Sequence, residues 1–170
     1  MSKNPEHHHH DHRKARCLVV TVSDTRTPAT DTGGALVAEL LQKHGHEVVG
    51  RKLTKDDVPA IRAATLAGVE DERVDAVVLT GGTGISPRDV TPEAILPMLE
   101  RQLPGFGEAF RQLSVKEVGP AGILSRAVAG TVGTTFVFAV PGSPDACRLA
   151  VDELIGPLLG HALAMLIPRR

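Results

Sequence analysis

Short apolar runs alternate along this chain with longer segments whose apolar residues recur at helical spacing. Cys17-Leu18-Val19-Val20-Thr21-Val22 and Ala76-Val77-Val78-Leu79 are unbroken and rich in β-branched residues, the pattern of strands buried on both faces of a parallel sheet. The same reading predicts strands over 16–23, 47–53 and 76–79, then two more over 127–131 and 135–140 around a turn near 130–133. Between them, Leu36, Val37, Leu40 and Leu41 form a helical stripe that Asp31 or Thr32 can cap and Gly45 can end. Val58, Ile61, Ala64 and Leu66 predict a helix over 57–70 with Asp57 as its cap. Thr91 is placed as the cap of a further helix, with Pro92 at its first position and a kink or restart at Pro97. Gly105-Phe106-Gly107 breaks the pattern before a helix over 108–117, and a last helix over 145–167 carries an irregularity at Gly156-Pro157. Strand and helix alternate without a fixed repeat, which predicts a three-layer α/β/α sandwich on a mostly parallel central sheet, a single domain over 15–170.

The polar segments fall where such a fold places its ligands. In an open parallel sheet, loops leaving the carboxyl ends of the strands line the binding crevice. Ser23, Asp24 and Arg26 follow the first strand, Asp56 follows the second, Thr80-Gly81-Gly82-Thr83-Gly84 and Asp89 follow the third, and Pro141-Gly142-Ser143 follow the last. Gly81, Gly82 and Gly84 allow positive φ and close approach of backbone N–H groups to an anion. The loop does not fit a Walker A motif, because Ser86 and Pro87 stand where glycine and lysine are needed. Nor is it a dinucleotide fingerprint, since Pro87 occupies the third glycine position. Spacing alone leaves a generic turn and a ligand loop equally open.

Composition narrows the partners. With 170 residues, a formal net charge of −1 and four Phe but no Trp or Tyr, the chain offers neither a long-range field for polyanions nor platforms for stacked bases, so nucleic acid is not expected. Cys17 and Cys147 lie far apart, outside any CxxC or Cys/His cluster, and read as buried thiols. No signal peptide is recognisable, and the apolar stretch over 154–167 reads as too short to span a bilayer, so a cytoplasmic protein without membrane association is expected. Residues 1–14, with His7, His8, His9, His10 and His12, are expected to form a disordered tail.

Several separated segments resemble one family. Thr80-Gly81-Gly82-Thr83-Gly84 and Arg88-Asp89-Val90-Thr91-Pro92-Glu93-Ala94 are similar to the signature of the molybdopterin-binding family to which MogA and MoaB belong. Val22-Ser23-Asp24, Gly105-Phe106-Gly107-Glu108 with Arg111 and Ser114, Ser125-Arg126-Ala127-Val128-Ala129-Gly130 and Pro141-Gly142-Ser143 agree with it in order and spacing. The segment 138–148 resembles the MoaB branch most, and the likeness covers about residues 16–168.

The resemblance implies a role in molybdenum cofactor biosynthesis, with Mg²⁺-dependent transfer of the adenylyl group of ATP to the terminal phosphate of molybdopterin and release of pyrophosphate. The alternative is a molybdopterin-binding carrier without catalysis. By the same resemblance Asp56 and Asp89 are the expected catalytic residues and Mg²⁺ ligands. Ser23, Asp24, Thr80, Gly81, Gly82, Thr83, Gly84, Ser125, Arg126, Pro141, Gly142 and Ser143 are the expected substrate contacts. Arg88, Arg126 and Lys116 are candidates to offset phosphate charge, and Glu93 is expected to act on a helix dipole. The family also implies a trimer or hexamer, and contact with other proteins of the pathway.

Overall fold

The structure is a computed structural model, and it describes residues 13–167; most of the expected histidine-rich tail, 1–12, lies outside the described residues. The two described residues of that segment are tied to the domain, Arg13 Nη1 donating to Ile167 O at 2.5 Å and Lys14 pairing with Glu47 at 3.3 Å.

The elements are β1 (Arg16–Val22), α1 (Thr32–Lys43), β2 (Glu47–Thr54), α2 (Val58–Val69), β3 (Ala76–Thr80), α3 (Thr91–Ile95), β4 (Arg101–Gln102), α4 (Pro104–Val118), β5 (Val128–Val132), β6 (Thr135–Val140), α5 (Pro144–Ala150) and α6 (Gly156–Leu166). Short 3₁₀ turns cover Leu96–Met98 and Gly119–Leu124, and one π-helical turn, Val151–Ile155, joins α5 to α6. The sheet runs β2-β1-β3-β6-β5-β4. β2, β1, β3 and β6 are parallel, while β5 is antiparallel to β6 and to β4.

The period-2 geometry of the strands divides the core. Val19, Val78, Phe138 and Val140 face α1, α4, α5 and α6, where they meet Val37, Leu41, Phe110 and Leu159. Their neighbours Val20, Val77, Leu79 and Val137 face the opposite layer, with Ile61 of α2 and Ile95 of α3. Both faces of β3 are therefore dry, which explains a strand with no polar position before Thr80. The expected three-layer sandwich on a mostly parallel sheet is the fold observed.

Four local expectations are corrected. Thr91 does not cap α3; Val90 occupies that position without a side-chain cap bond, and Thr91 is the first helical residue. The glycines at 105 and 107 do not break the chain: α4 begins at Pro104, because Leu103 can enter the helix without a capping side chain while Phe106 is drawn into the core. β5 continues to Val132, so its hairpin closes through Gly133 rather than through a wider turn. The apolar stretch near the C-terminus belongs to a continuous helical run, Pro144–Leu166, of 23 residues with mean hydropathy 1.5 over its most apolar window. Length and composition alone would let it cross a membrane, yet Val151, Ile155, Leu159 and Leu163 form part of the core. Pro157 lacks the N–H that an α-helix needs, and the π turn just before it absorbs the mismatch.

An ionic cluster built on the buried Asp31 holds the rim from below. Asp31 caps α1, accepting from Gly34 N–H at 2.9 Å and from Thr21 Oγ1 at 3.0 Å, while Arg51 Nη2 on β2 binds its other oxygen at 2.8 Å. Burial pushes the Asp31 carboxyl up, but the Arg51, Gly34 and Thr21 bonds together outweigh it and leave it below the usual range. A depressed carboxyl adds stability that is present above its unfolded pKa of about 3.9 and lost as pH falls through the folded value. Asp31→Asn is therefore expected to lower the urea midpoint at neutral pH and to shrink the loss of stability on acidification. Equal midpoints for the two proteins at neutral pH would contradict this.

Candidate active site

The chain leaves β1 for β2 on one side and returns to β3 on the other, so the order reverses between β1 and β3. A crevice opens at such a point, outside the carboxyl ends of the strands. Thr21, Val22, Ser23, Arg26, Asp31, Gly33, Thr80, Gly81 and Gly142 enclose a cavity of about 160 Å³ there. A second cavity of about 340 Å³ lies beside it, and Thr83, Gly84, Phe110, Ser114, Ser125 and Ser143 contribute to its wall.

Backbone geometry builds the floor. Gly81 and Gly82 adopt φ of 108° and 65°, whereas Gly84 is not in the left-handed region. Gly81 N–H donates to Val140 O at 2.9 Å, and a Cβ on Gly81 would stand 2.4 Å from Val22 O. Only a glycine lets the chain pass between β1 and β6 at that point. Gly142 approaches the same spot, where an added Cβ would lie 3.3 Å from Gly81 Cα. Gly84 serves space instead: a Cβ there would fall 2.7 Å from Asp89 Oδ2. Thr91 hydroxyl donates to Gly81 O at 2.9 Å and Thr91 N–H to Gly82 O at 3.0 Å, so the residue expected to cap α3 turns back and fastens the glycine loop.

Three carboxylates converge above this floor. Asp57 caps α2 through Ala60 N–H at 2.8 Å, which leaves Asp56 directed at the site. Asp56 N–H donates to Asp24 Oδ1 at 3.0 Å, and Asp56 Oδ1 is buried without a protein hydrogen-bond partner. A Cβ on Gly82 would stand 2.9 Å from that same oxygen. Burial first, then the Asp89 and Asp24 carboxylates, raise the Asp56 carboxyl above its ordinary value, against the opposing Val90 N–H and Arg88 charge. Asp89 accepts from Ser86 N–H at 3.0 Å through Oδ2. Thr83 Oγ1 is a second buried atom without a partner, in a side chain that is 1% exposed.

The other expected residues divide. Ser23 Oγ accepts from Thr25 and Arg26 N–H, each at 3.2 Å, and shapes the loop after β1. Thr80 hydroxyl faces inward, donating to Pro141 O at 3.1 Å beside Cys147 Sγ, so it ties β3 to the last rim loop. Ser143 caps α5 through Ala146 N–H at 3.4 Å. Ser125 Oγ accepts from Ala127 N–H at 3.3 Å. Glu93 stands in the first turn of α3, the place where a carboxylate suits a helix dipole, and its side chain also pairs with Arg126. Arg88 is exposed on the loop, and Lys116 lies in the last turn of α4. Sequence reasoning missed the Thr91 hydroxyl, whose acceptor lies at the other end of the glycine loop, and the Asp31–Arg51 pair, whose cation comes from another strand, because no local spacing announces either. Burial raises both thiols, Cys17 to about 12, which leaves them without reactive thiolate at neutral pH.

A family model described as a probable molybdopterin binding domain matches residues 18–161. The chain belongs to this molybdopterin-binding family. It is 48% identical over 157 residues to molybdenum cofactor biosynthesis protein B of Bacillus cereus, covering 92% of this chain and 93% of that protein. The corresponding Escherichia coli protein is 43% identical over 144 residues, 85% of each chain. A crystal structure of a molybdenum cofactor biosynthesis protein B superposes with a TM-score of 0.88 at 47% identity, covering 91% of this chain and 97% of that one. The tungsten cofactor synthesizing protein MoaB from Pyrococcus furiosus superposes with a TM-score of 0.80 at 36% identity, covering 91% and 98%. The glycine loop and the acidic rim, which lie between Ser23 and Ser143, fall within the residues that the family model matches.

Proposed function

We propose that this protein acts in molybdenum cofactor biosynthesis, in the cytoplasm, as a molybdopterin adenylyltransferase. The observation that carries the reading is Asp56: a buried carboxylate oxygen without a partner, set beside Asp24 and Asp89 over a glycine floor. Carboxylates held close together, one with a free buried oxygen, are a donor set suited to a hard cation. Among the described residues no group of three or more His, Cys, Asp or Glu side chains forms a ready metal cage. Mg²⁺ is commonly held by one or two carboxylates together with phosphate oxygens and water, and Asp56 and Asp89 would hold it here. Mg²⁺ would supply charge neutralisation between the reacting phosphates.

In the proposed reaction an oxygen of the molybdopterin terminal phosphate forms a bond to the α-phosphorus of ATP. The bond from that phosphorus to the bridging oxygen of the β-phosphate breaks, and pyrophosphate leaves with the electron pair. The attacking phosphate is already anionic near neutral pH, so no strong base or covalent nucleophile is needed, and positioning carries most of the catalysis. Gly82, Thr83 and Gly84 would receive phosphate oxygens, with the Thr83 hydroxyl as a donor in need of an acceptor, while Gly81, whose N–H is taken by Val140 O, shapes the floor beneath them. Gly142 and Ser143 would close the same crevice from the loop after β6. Self-association as a trimer or hexamer, and contact with other proteins of the pathway, belong to the same proposal.

The test is pyrophosphate release from ATP in the presence of molybdopterin and Mg²⁺. Release that requires all three supports the enzyme. Tight molybdopterin binding without release would sink it and leave a carrier.

A further inference from the structure

We infer that Arg126 is a positioning residue, whose side chain clamps the two ends of the loop after β3 and so sets the Asp89 carboxylate against Asp56. The inference deepens the proposed function and rests on its assignment of Asp56 and Asp89 to one reacting site.

The geometry of the guanidinium carries it. Arg126 Nε donates to Gly84 O at 2.8 Å, Nη2 donates to Asp89 O at 2.6 Å, and Nη1 donates to the Glu93 carboxylate. Its backbone N–H also donates to Thr83 O at 2.9 Å. All three side-chain nitrogens and the amide thus bind the single segment 83–93, which lies more than 30 residues away in the chain. Within that loop, Ser86 and Asp89 bond to each other in a local turn, Ser86 N–H to Asp89 Oδ2 at 3.0 Å and Asp89 N–H to Ser86 O at 2.9 Å. Such a turn keeps its own shape but does not fix its place over the site. The Val90 N–H ties the end of the turn to the Asp56 carboxyl, and Arg126 fixes the rest, because it grips the carbonyl of Asp89 itself and that of Gly84, the residue over which the Asp89 carboxylate folds.

The clamp has support on both sides. The five-residue α3 has no capping side chain. Arg62 of α2 binds its Glu93 and Ala94 carbonyls at 3.3 and 3.1 Å, and Arg126 holds its Glu93 side chain. Behind Arg126, Arg111 Nη1 of α4 donates to Ser125 O at 3.3 Å. The hydrogen bond from Arg126 is also the main reason that the Glu93 carboxyl lies below its ordinary value. With its charge matched by Glu93 and its donors engaged in a planar fork, Arg126 is poorly placed to release them to a substrate phosphate. A lysine would keep the charge and lose the fork.

That difference supplies the experiment. Full-length protein is compared with Arg126→Lys, Glu93→Gln and the double variant, by steady-state pyrophosphate release and by amide hydrogen exchange. Arg126→Lys is expected to lower kcat by about tenfold or more with KM for ATP and molybdopterin changed by less than about threefold, and to speed exchange at Ser86 and Asp89 by about tenfold while β1 and β3 amides are unaffected. Glu93→Gln shifts both readings in the same direction by less, and the double variant falls short of the product of the singles. A raised KM with kcat and exchange unchanged would make Arg126 a direct substrate contact and overturn the inference. If the parent protein releases no pyrophosphate, the adenylyl-transfer reading fails by itself. Exchange still judges the clamp: unaltered protection at Ser86 and Asp89 in Arg126→Lys rejects it.

Discussion

Asp89→Asn is expected to lower the rate of molybdopterin adenylylation by about 10²–10³-fold, the scale found when one preorganised electrostatic group is removed from a reacting centre. Molybdopterin affinity should change by less than about threefold, because charge that develops on the phosphates is felt in the transition state far more than in the bound ground state. The local fold survives the change: an asparagine oxygen can still accept from Ser86 N–H, which Asp89 Oδ2 does at 3.0 Å. Initial rates of pyrophosphate release beside a pterin binding titration separate the two effects. Unchanged turnover removes Asp89 from the mechanism.

The same substitution carries a stability sign. Asp56 is raised by burial, then by Asp89 and Asp24. A carboxyl whose folded pKa lies above its unfolded value contributes stability below the unfolded pKa, and that contribution is lost as pH rises through the folded value. At neutral pH Asp56 is therefore a net liability, and removing the Asp89 charge relieves part of it. Asp89→Asn is expected to raise Tm at neutral pH and to change it less at about pH 3, below the ordinary carboxyl range. A gain in stability coupled to a loss of rate is the signature of carboxylates held together for function. A lower Tm at neutral pH would assign Asp89 a structural role instead.

The largest loss of stability is expected at Gly81. Gly81→Ala would combine a φ of 108° with a Cβ placed 2.4 Å from Val22 O. Neither can relax cheaply, since Gly81 N–H is bonded to Val140 O at 2.9 Å and Gly81 O accepts from Thr91 hydroxyl at 2.9 Å. A loss of about 2–4 kcal/mol follows from left-handed strain together with the clash. Gly133→Ala is the control, because its φ is 56° and nothing stands within 4 Å of the added Cβ; it should cost about 1–2 kcal/mol, the ordinary left-handed penalty. Urea unfolding at constant m-value measures both. Equal losses would show that the contact with Val22 O adds nothing to the strain.

Strand positions such as β3 were legible because burial on both faces leaves an unbroken run rich in β-branched residues, as in Ala76-Val77-Val78-Leu79. Strand order then places the carboxyl ends of β1, β2, β3 and β6 on one rim, which is why Ser23, Asp56, Gly81 and Ser143 could be grouped before any distance was known. Helix starts were less legible. Thr91 has the residue type of a cap, but its hydroxyl meets Gly81 O, and local chemistry cannot reveal that a better acceptor waits across a loop. Pro104 opens α4 ahead of its glycines because Phe106 is buried, so tertiary burial outweighs their poor helix propensity.

For this protein the sequence by itself determined the alternation of strand and helix, the glycine loop after β3, the acidic positions on its rim and the resemblance to a family, since each depends on residue type and spacing along the chain. Only the tertiary structure decided what those residues do to one another. It assigned Asp57 to cap α2, leaving Asp56 Oδ1 without a partner, and it matched Arg126 to Glu93 and two loop carbonyls. The physical reason is that a hydrogen bond or a pair of like charges acts over a few ångströms in space, while the residues involved stand up to 42 positions apart in the chain.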